Sequence, residues 1–155
     1  MAVDQPCAYN SDMASVTVIG GSVNITQNED DIALALFQNG PTSISFTVVP
    51  GFKEYSGGVY MNATCPNGPL DVNHDVMLVG YGTDFGVDYW LIKNSWGATW
   101  GDKGYFKIQR GVNMCGIVNC GSYPQDVLDV AKAVPEVQPR DVYKSAFLTA
   151  GDQRE

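Results

Sequence analysis

Glycine-containing turns divide this chain into short segments, and this spacing limits the folds that are open to it. Its 155 residues include 17 glycines, together with eight tyrosines and three tryptophans. Such a composition is typical of short strands joined by turns rather than of a helical bundle. Alternating apolar residues predict a strand over residues 42–49, and further strands are predicted over 74–82, 88–94 and 104–109. Neighbours of this length favour antiparallel pairing in a curled sheet or barrel.

One helix is predicted between the first turns and these strands. Asn28 can cap its first turn, the acidic residues 29–31 suit the positive end of its dipole, and Gly40-Pro41 ends it. Apolar residues recur four positions apart in the pairs Ile32 with Leu36 and Ala33 with Phe37. The sequence therefore predicts an α+β fold with one short helix.

The charge of the chain argues against several classes of function. Seventeen acidic residues against nine basic ones give a net charge of -8, which repels phosphate backbones and makes nucleic acid an unfavourable partner. No segment approaches the roughly 18 consecutive apolar residues of a membrane span, and the first residues lack a basic-then-apolar signal region. With one histidine and no Cys-x-x-Cys pair, neither a metal site nor another cofactor is expected.

The cysteines and two glycosylation sequons indicate a secretory history. The sequons begin at Asn24 and Asn62, and the cysteines are Cys7, Cys65, Cys115 and Cys120. Sequons and disulfides both belong to oxidising compartments rather than to the cytosol. We therefore expect a lysosomal or extracellular glycoprotein whose cysteines form disulfides.

Several motifs, taken together and in order, resemble one family of enzymes. They are Asn39-Gly40-Pro41, Tyr55-Ser56-Gly57-Gly58-Val59-Tyr60, Val72-Asn73-His74-Asp75, the block from Trp90 to Gly104, Asn113-Met114-Cys115-Gly116-Ile117, and Ser122-Tyr123-Pro124. In this order they resemble the C-terminal half of the papain-like cysteine proteases, in the cathepsin L-like branch. The resemblance implies an antiparallel, barrel-like right-hand domain over residues 1–124 and the hydrolysis of peptide bonds by an endopeptidase.

The resemblance also implies roles for three residues. His74 corresponds to the base that activates a cysteine thiol and later protonates the leaving amine. Asn94 corresponds to the residue whose amide oxygen orients that imidazole, and Trp96 to the indole that shields their hydrogen bond from water. The expected partners are a peptide or protein substrate and the other half of the papain fold.

A substrate cavity is implied beside these residues. The resemblance puts Cys120 at the floor of the cavity for the second substrate side chain, with Ser45, Val72 and Asp75 on its walls. Asp75 departs from the small residue that the family usually has after the histidine. A carboxylate there could favour a basic substrate side chain, or could act electrostatically on His74.

The resemblance separates the cysteines by role. It implies a disulfide between Cys65 and Cys115, whereas Cys7 resembles a cysteine whose partner lies in the other half. No segment before His74 resembles the Cys-Gly-Ser-Cys-Trp helix start that carries the family nucleophile, and neither Cys7 nor Cys120 is expected to replace it. The N-terminal half would supply that thiol and an oxyanion-hole glutamine, so the isolated chain is predicted to be inactive.

Two other interpretations are open at this stage. The chain could be a non-catalytic peptide-binding or interaction protein that keeps the papain-like cleft, or it could be an incomplete gene model or fragment. Separation from the other half should expose apolar surface around Phe46, Val48 and Trp96. Residues 125–155 have no counterpart in the family, and we expect an appended tail that is flexible or, with weak amphipathic stretches near 126–134 and 141–150, a docked helix.

Overall fold

The computed structural model describes residues 6–129, which divide into two compact units. The smaller unit contains residues 6–20 and 126–129. In it, strand β1 (Val16–Val18) pairs antiparallel with strand β9 (Val127–Asp129), in a register that joins Thr17 to Leu128. Residues 127–129, near the start of the first predicted amphipathic stretch, therefore form a strand and not a helix, because their main chain hydrogen-bonds with that of β1. Residues 130–155, which hold the rest of the first amphipathic stretch and all of the second, lie outside the described residues.

Helix α1 (Glu29–Asn39) contributes buried side chains to the core of the larger unit, which comprises residues 21–125. The Asn28 side chain accepts a hydrogen bond from the Asp31 backbone N–H at 2.8 Å, which satisfies one of the free donors of the first turn. Gly40 ends the helix at a φ of 82°, a conformation that glycine adopts without steric cost. Both ends of the helix are where the sequence predicted them.

The larger unit also contains a seven-stranded sheet, whose first strand precedes the helix. Its order is β2-β8-β3-β5-β6-β7-β4, and all pairs are antiparallel except β4 with β7, which the sequence did not predict. The strands are β2 (Ser22–Asn24), β3 (Thr42–Phe46), β4 (Val59–Tyr60), β5 (His74–Asp84), β6 (Val87–Lys93), β7 (Tyr105–Gln109) and β8 (Gly121–Pro124). Within the described residues the sheet is open rather than a closed barrel.

The core lies between one face of this sheet, helix α1 and the loops that follow β3 and β7. Its largest fully buried side chains are Trp90, Phe46, Phe52, Phe106, Ile32, Ile44, Leu78, Ile92, Ile108 and Ile117. Phe46 was expected on an exposed surface, but it is fully buried because it points inward with Thr42 and Ile44. Conversely, Phe37 on the outer side of α1 is 79% exposed.

Three short 3-10 helices complete the described chain: Ser11–Met13, Phe52–Glu54 and Met114–Gly116. None of the helices in the described part of the chain has the length and apolar character needed to cross a membrane. The second 3-10 helix brings Phe52 under the aromatic residues that surround the site described next.

Candidate active site

His74 and Asn94 meet at one end of the sheet. His74 is the first residue of β5, and Asn94 directly follows β6, which pairs with β5. The His74 Nε2 atom lies 2.9 Å from the Asn94 Oδ1 atom, within hydrogen-bond distance. Asn94 is 8% exposed, and its backbone N–H donates to the Gly104 carbonyl at 2.9 Å. The sheet register therefore brings together two residues that are 20 positions apart.

The surroundings of Asn94 fix the protonation pattern of the imidazole. The Asn94 Oδ1 atom also accepts the Ser95 backbone N–H at 2.8 Å, so the atom facing His74 is the amide oxygen and not the amide nitrogen. An oxygen can only accept, and the Nε2 atom of His74 must therefore carry the proton of this hydrogen bond. In the neutral ring the lone pair then lies on Nδ1, which is free to take up a proton.

Aromatic rings enclose this pair. The Trp96 indole stacks on the His74 ring with centroids 5.0 Å apart and planes 27° apart, while the Phe46 ring packs edge-on against it with centroids 5.8 Å apart. Trp96 in turn contacts Trp100 and Phe52, with centroids at 4.8 and 6.0 Å. These ring contacts hold the orientation of the imidazole beside the Asn94 amide.

Asn73 is a supporting residue that the sequence did not single out. Its Oδ1 atom accepts the Val48 backbone N–H at 2.8 Å, and its Nδ2 atom donates to the Val48 carbonyl at 3.2 Å. The side chain thus imitates a strand partner and fixes the residue before His74. This role could not be deduced from the residue type, because it depends on where β3 stops.

A second feature is a cavity of about 480 Å³ beside β3 and β5. Ser45, Asp75 and Cys120, which the sequence placed together, all line it, and the Ser45 hydroxyl donates to the Asp75 carboxylate at 2.5 Å. Val72, expected on its wall, is not in this lining. It precedes β5, and its Cγ1 atom lies against Gly116, 3.3 Å from where a β-carbon would stand. The remaining lining residues are Asn24, Ile25, Gln27, Ser43, Asn119, Gly121 and Ser122.

Comparison with known proteins agrees with this geometry. The sequence pattern of the papain family cysteine proteases matches residues 1–125. This chain belongs to the papain family. The family prediction is thereby confirmed, as is the α+β right-hand domain that it implied.

Individual relatives in the papain family are close in sequence and in fold. The thiol protease aleurain of Arabidopsis thaliana is 52% identical over 122 residues, covering 78% of this chain and 34% of that protein. Pro-cathepsin H of Mus musculus is 45% identical, covering 78% and 36%. Digestive procathepsin L2 from the larval midgut of Tenebrio molitor superposes with a TM-score of 0.73 at 40% identity, covering 80% and 39%. The chain spans about a third of the length of the curated relatives.

The four cysteines of this papain-family chain fall into two groups. Cys65 and Cys115 form a disulfide that ties the turn after β4 to the loop between β7 and β8. Cys7 and Cys120 carry exposed free thiols. In the described residues the His74 ring contacts the Asn94 amide oxygen and the rings of Trp96 and Phe46, and neither free thiol is among these contacts.

The two sequon asparagines differ in exposure, and the described residues can also be searched for groups of metal ligands. Asn24 is exposed at the end of β2, and the half-buried Asn62 accepts hydrogen bonds from the Thr64 backbone N–H and hydroxyl. Among residues 6–129, no three His, Cys, Asp or Glu side chains are grouped so that they could hold a metal ion.

Proposed function

We propose that this chain supplies the general base and its orienting amide to a cysteine endopeptidase, whose thiol nucleophile comes from another part of the whole protein. The observation that carries the proposal is the His74–Asn94 hydrogen bond, because it leaves the Nδ1 lone pair of His74 available. The papain-family membership supports the same reaction class, since the relatives include a thiol protease and procathepsins.

The proposed chemistry moves one proton in each of two steps. In the first, His74 Nδ1 takes the thiol proton, the thiolate attacks the peptide carbonyl carbon, and the imidazolium gives its proton to the departing amine. In the second, the same nitrogen takes a proton from water, whose oxygen attacks the acyl carbon. The C–S bond then breaks, and the imidazolium returns its proton to the sulfur, which releases the thiol and a carboxylic acid. Asn94 stabilises the imidazolium and holds its orientation, but does not itself transfer a proton.

The buried amide nitrogen of Asn94 supports the proposal that further residues complete this site in the whole protein. Its Nδ2 atom is buried and has no hydrogen-bond partner among the described residues. Buried donors are nearly always satisfied in native proteins. We propose that residues which complete the site in the whole protein accept this hydrogen bond. The sequons and the disulfide support a lysosomal or extracellular location for that protein.

The first test measures what this chain is attached to. The native protein is captured from its source with an antibody against residues 21–125, and its intact mass is determined with and without reductant. We expect either a mass well above 16.7 kDa or a disulfide-linked second chain, and thiol-dependent cleavage of peptides by the captured protein. A native chain of 16.7 kDa alone, without peptidase activity, would contradict the proposal and favour a non-catalytic binding role.

We further propose that the cavity of Ser45, Asp75 and Cys120 receives a basic substrate side chain. Asp75 is exposed, and the cavity's other lining residues include no carboxylate and no cation. The Ser45 hydroxyl holds one carboxylate oxygen, which fixes the rotamer of Asp75. A fixed carboxylate in a polar cavity favours a guanidinium or ammonium group over an aliphatic side chain.

Replacing Asp75 by asparagine tests this selectivity. Asparagine keeps an oxygen for the Ser45 hydroxyl but removes the charge, so the ratio of kcat/KM for Arg-containing over Leu-containing peptides should fall about tenfold, as expected for the loss of one charge-assisted hydrogen bond. Asp102→Asn, an equal change of charge at an exposed residue outside this cavity, should leave the ratio unchanged. An unaltered ratio in Asp75→Asn would refute the basic preference.

A further inference from the structure

The carboxylate of Glu29 joins three distant segments of the chain, and the proposed chemistry does not use it. Glu29 is the first residue of α1 and is half-buried. Its Oε2 atom accepts the Trp90 indole N–H at 3.0 Å and the Gly111 backbone N–H at 2.5 Å. Its Oε1 atom accepts the Asn113 backbone N–H at 2.6 Å. One carboxylate thus receives three hydrogen bonds from residues 61 to 84 positions away.

Two of these hydrogen bonds fall on a loop whose backbone needs outside support. The loop, residues 111–120, connects β7 to β8. Asn113 and Cys115 both have positive φ, at 48° and 54°, and neither is glycine. Such conformations are unfavourable for residues with a β-carbon and persist only where surrounding contacts enforce them. Glu29 supplies one of those contacts directly, at the Asn113 backbone N–H.

Further hydrogen bonds carry this constraint along the loop. The Asn113 side-chain oxygen accepts the Val118 backbone N–H at 3.1 Å, and Gln27, two residues before Glu29, donates from Nε2 to the Asn119 carbonyl at 3.0 Å. At the far end, the Cys120 carbonyl accepts the Ser45 backbone N–H at 3.1 Å. The segment of residues 27–29 therefore holds the loop both at its beginning and near its end.

The far end of the loop forms one wall of the cavity beside β3 and β5. Asn119 and Cys120 line it together with Ser45 and Asp75. We propose that Glu29 is a positioning residue for substrate selection, which acts by fixing the loop that forms this wall. The effect of Glu29 on substrate selection rests on the proposed peptidase function, whereas its effect on the position of the loop does not. His74 and Asn94 are held by β5 and β6, so they should be unaffected by a change in the loop.

The first arm of the test measures selectivity in the whole protein. Glu29→Gln keeps the shape of the side chain but replaces one accepting oxygen by an NH₂ group, which cannot accept a backbone N–H. We compare peptides that differ only at the side chain entering the cavity, and expect the preference among them to fall at least fivefold. The change should appear in KM. The kcat should stay within about twofold of that of the unaltered enzyme, because the proton-transfer pair is untouched. A purely structural role would lower the amount of active enzyme without changing the ratio.

Two variants serve as comparisons. Asp30→Asn removes the same charge at the next position of α1, where the side chain is exposed, and should change neither selectivity nor kcat. Glu29→Asp keeps the charge on a shorter side chain. Its preference among the peptides should lie between that of Glu29→Gln and that of the unaltered protein. If Glu29→Gln does not fold, Glu29→Asp alone decides: unaltered selectivity in a folded Glu29→Asp protein would overturn the proposal.

The second arm measures the loop itself and needs no activity. Hydrogen exchange of peptides that cover residues 111–120, and the rate at which a maleimide modifies the Cys120 thiol, are compared between Glu29→Gln and Asp30→Asn. We expect both rates to rise severalfold only in Glu29→Gln, with exchange in β5 unchanged. Unchanged rates would overturn the proposal whatever the kinetics show. Raised rates in a protein that cleaves no peptide would uphold the positioning of the loop and count against the peptidase function alone.

Discussion

Replacing His74 by alanine in the whole protein is expected to lower kcat by about 10⁴-fold, the effect of losing a general base that acts as a unit with its nucleophile. The ring is the only imidazole of this chain, and its orientation is enforced by Asn94 and by the stacked Trp96. No neighbouring group in the described part of the chain offers a lone pair at the Nδ1 position. Steady-state kinetics with a fluorogenic peptide measures the loss.

A second measurement separates loss of the base from loss of the fold. The thermal unfolding midpoint of His74→Ala should stay within a few degrees of the unaltered protein, since the ring is half-buried and not part of the central core. The rate at which iodoacetamide alkylates the nucleophilic thiol near neutral pH should fall together with kcat, because the imidazole no longer accepts the thiol proton. Turnover within tenfold of normal would show that another group serves as the base.

Phe52→Ala is expected to destabilise the fold by about 3–5 kcal/mol, the usual cost of removing a fully buried phenylalanine. Phe52 lies at the centre of an aromatic cluster, with ring centroids between 4.9 and 6.2 Å from those of six neighbours: Phe46, Tyr55, Tyr60, Trp96, Trp100 and Phe106. Denaturant unfolding followed by tryptophan fluorescence gives the free energy of unfolding.

Phe37→Ala provides the matched control for this experiment. It removes the same side chain from a position that is 79% exposed, and surface substitutions of this kind change stability by no more than about 0.5 kcal/mol. Equal effects of the two substitutions would contradict the packing of the core. Because Phe52 also supports Trp96, residual folded Phe52→Ala protein should show weaker shielding of the His74–Asn94 pair, seen as a reduced kcat.

Local chemistry explains what could be predicted from the sequence. The limits of α1 follow from two residues, Asn28 at its start and Gly40 at its end, and neither depends on distant contacts. The strands β5, β6 and β7 lie within a few residues of their predicted positions, because alternation and glycine turns mark them. His74 and Asn94 are distant in sequence but adjacent in the folded chain, as the resemblance to the papain-like motifs implied.

The remaining features depend on tertiary contacts that no local pattern encodes. Strand β3 was predicted to reach residue 49 but ends at Phe46, since beyond it the Asn73 side chain replaces the main chain of a partner strand. Phe37 was paired with Ala33 from periodicity alone, yet α1 buries a narrower stripe of Ile32, Ala35 and Leu36. The parallel pairing of β4 with β7 and the three hydrogen bonds to Glu29 likewise appear only when the chain is folded.

The adjacent positions of His74 and Asp75 on β5 have an evolutionary consequence. Successive residues of a strand face opposite sides of the sheet, so His74 lies among Phe46 and Trp96 while Asp75 faces Ser45 across the outer surface. Under the proposed function, a substitution at Asp75 would therefore change the cavity while the contacts of His74 stay in place. In a duplicated gene, one codon change would then alter the cavity of one copy and leave the His74–Asn94 pair of both copies unchanged.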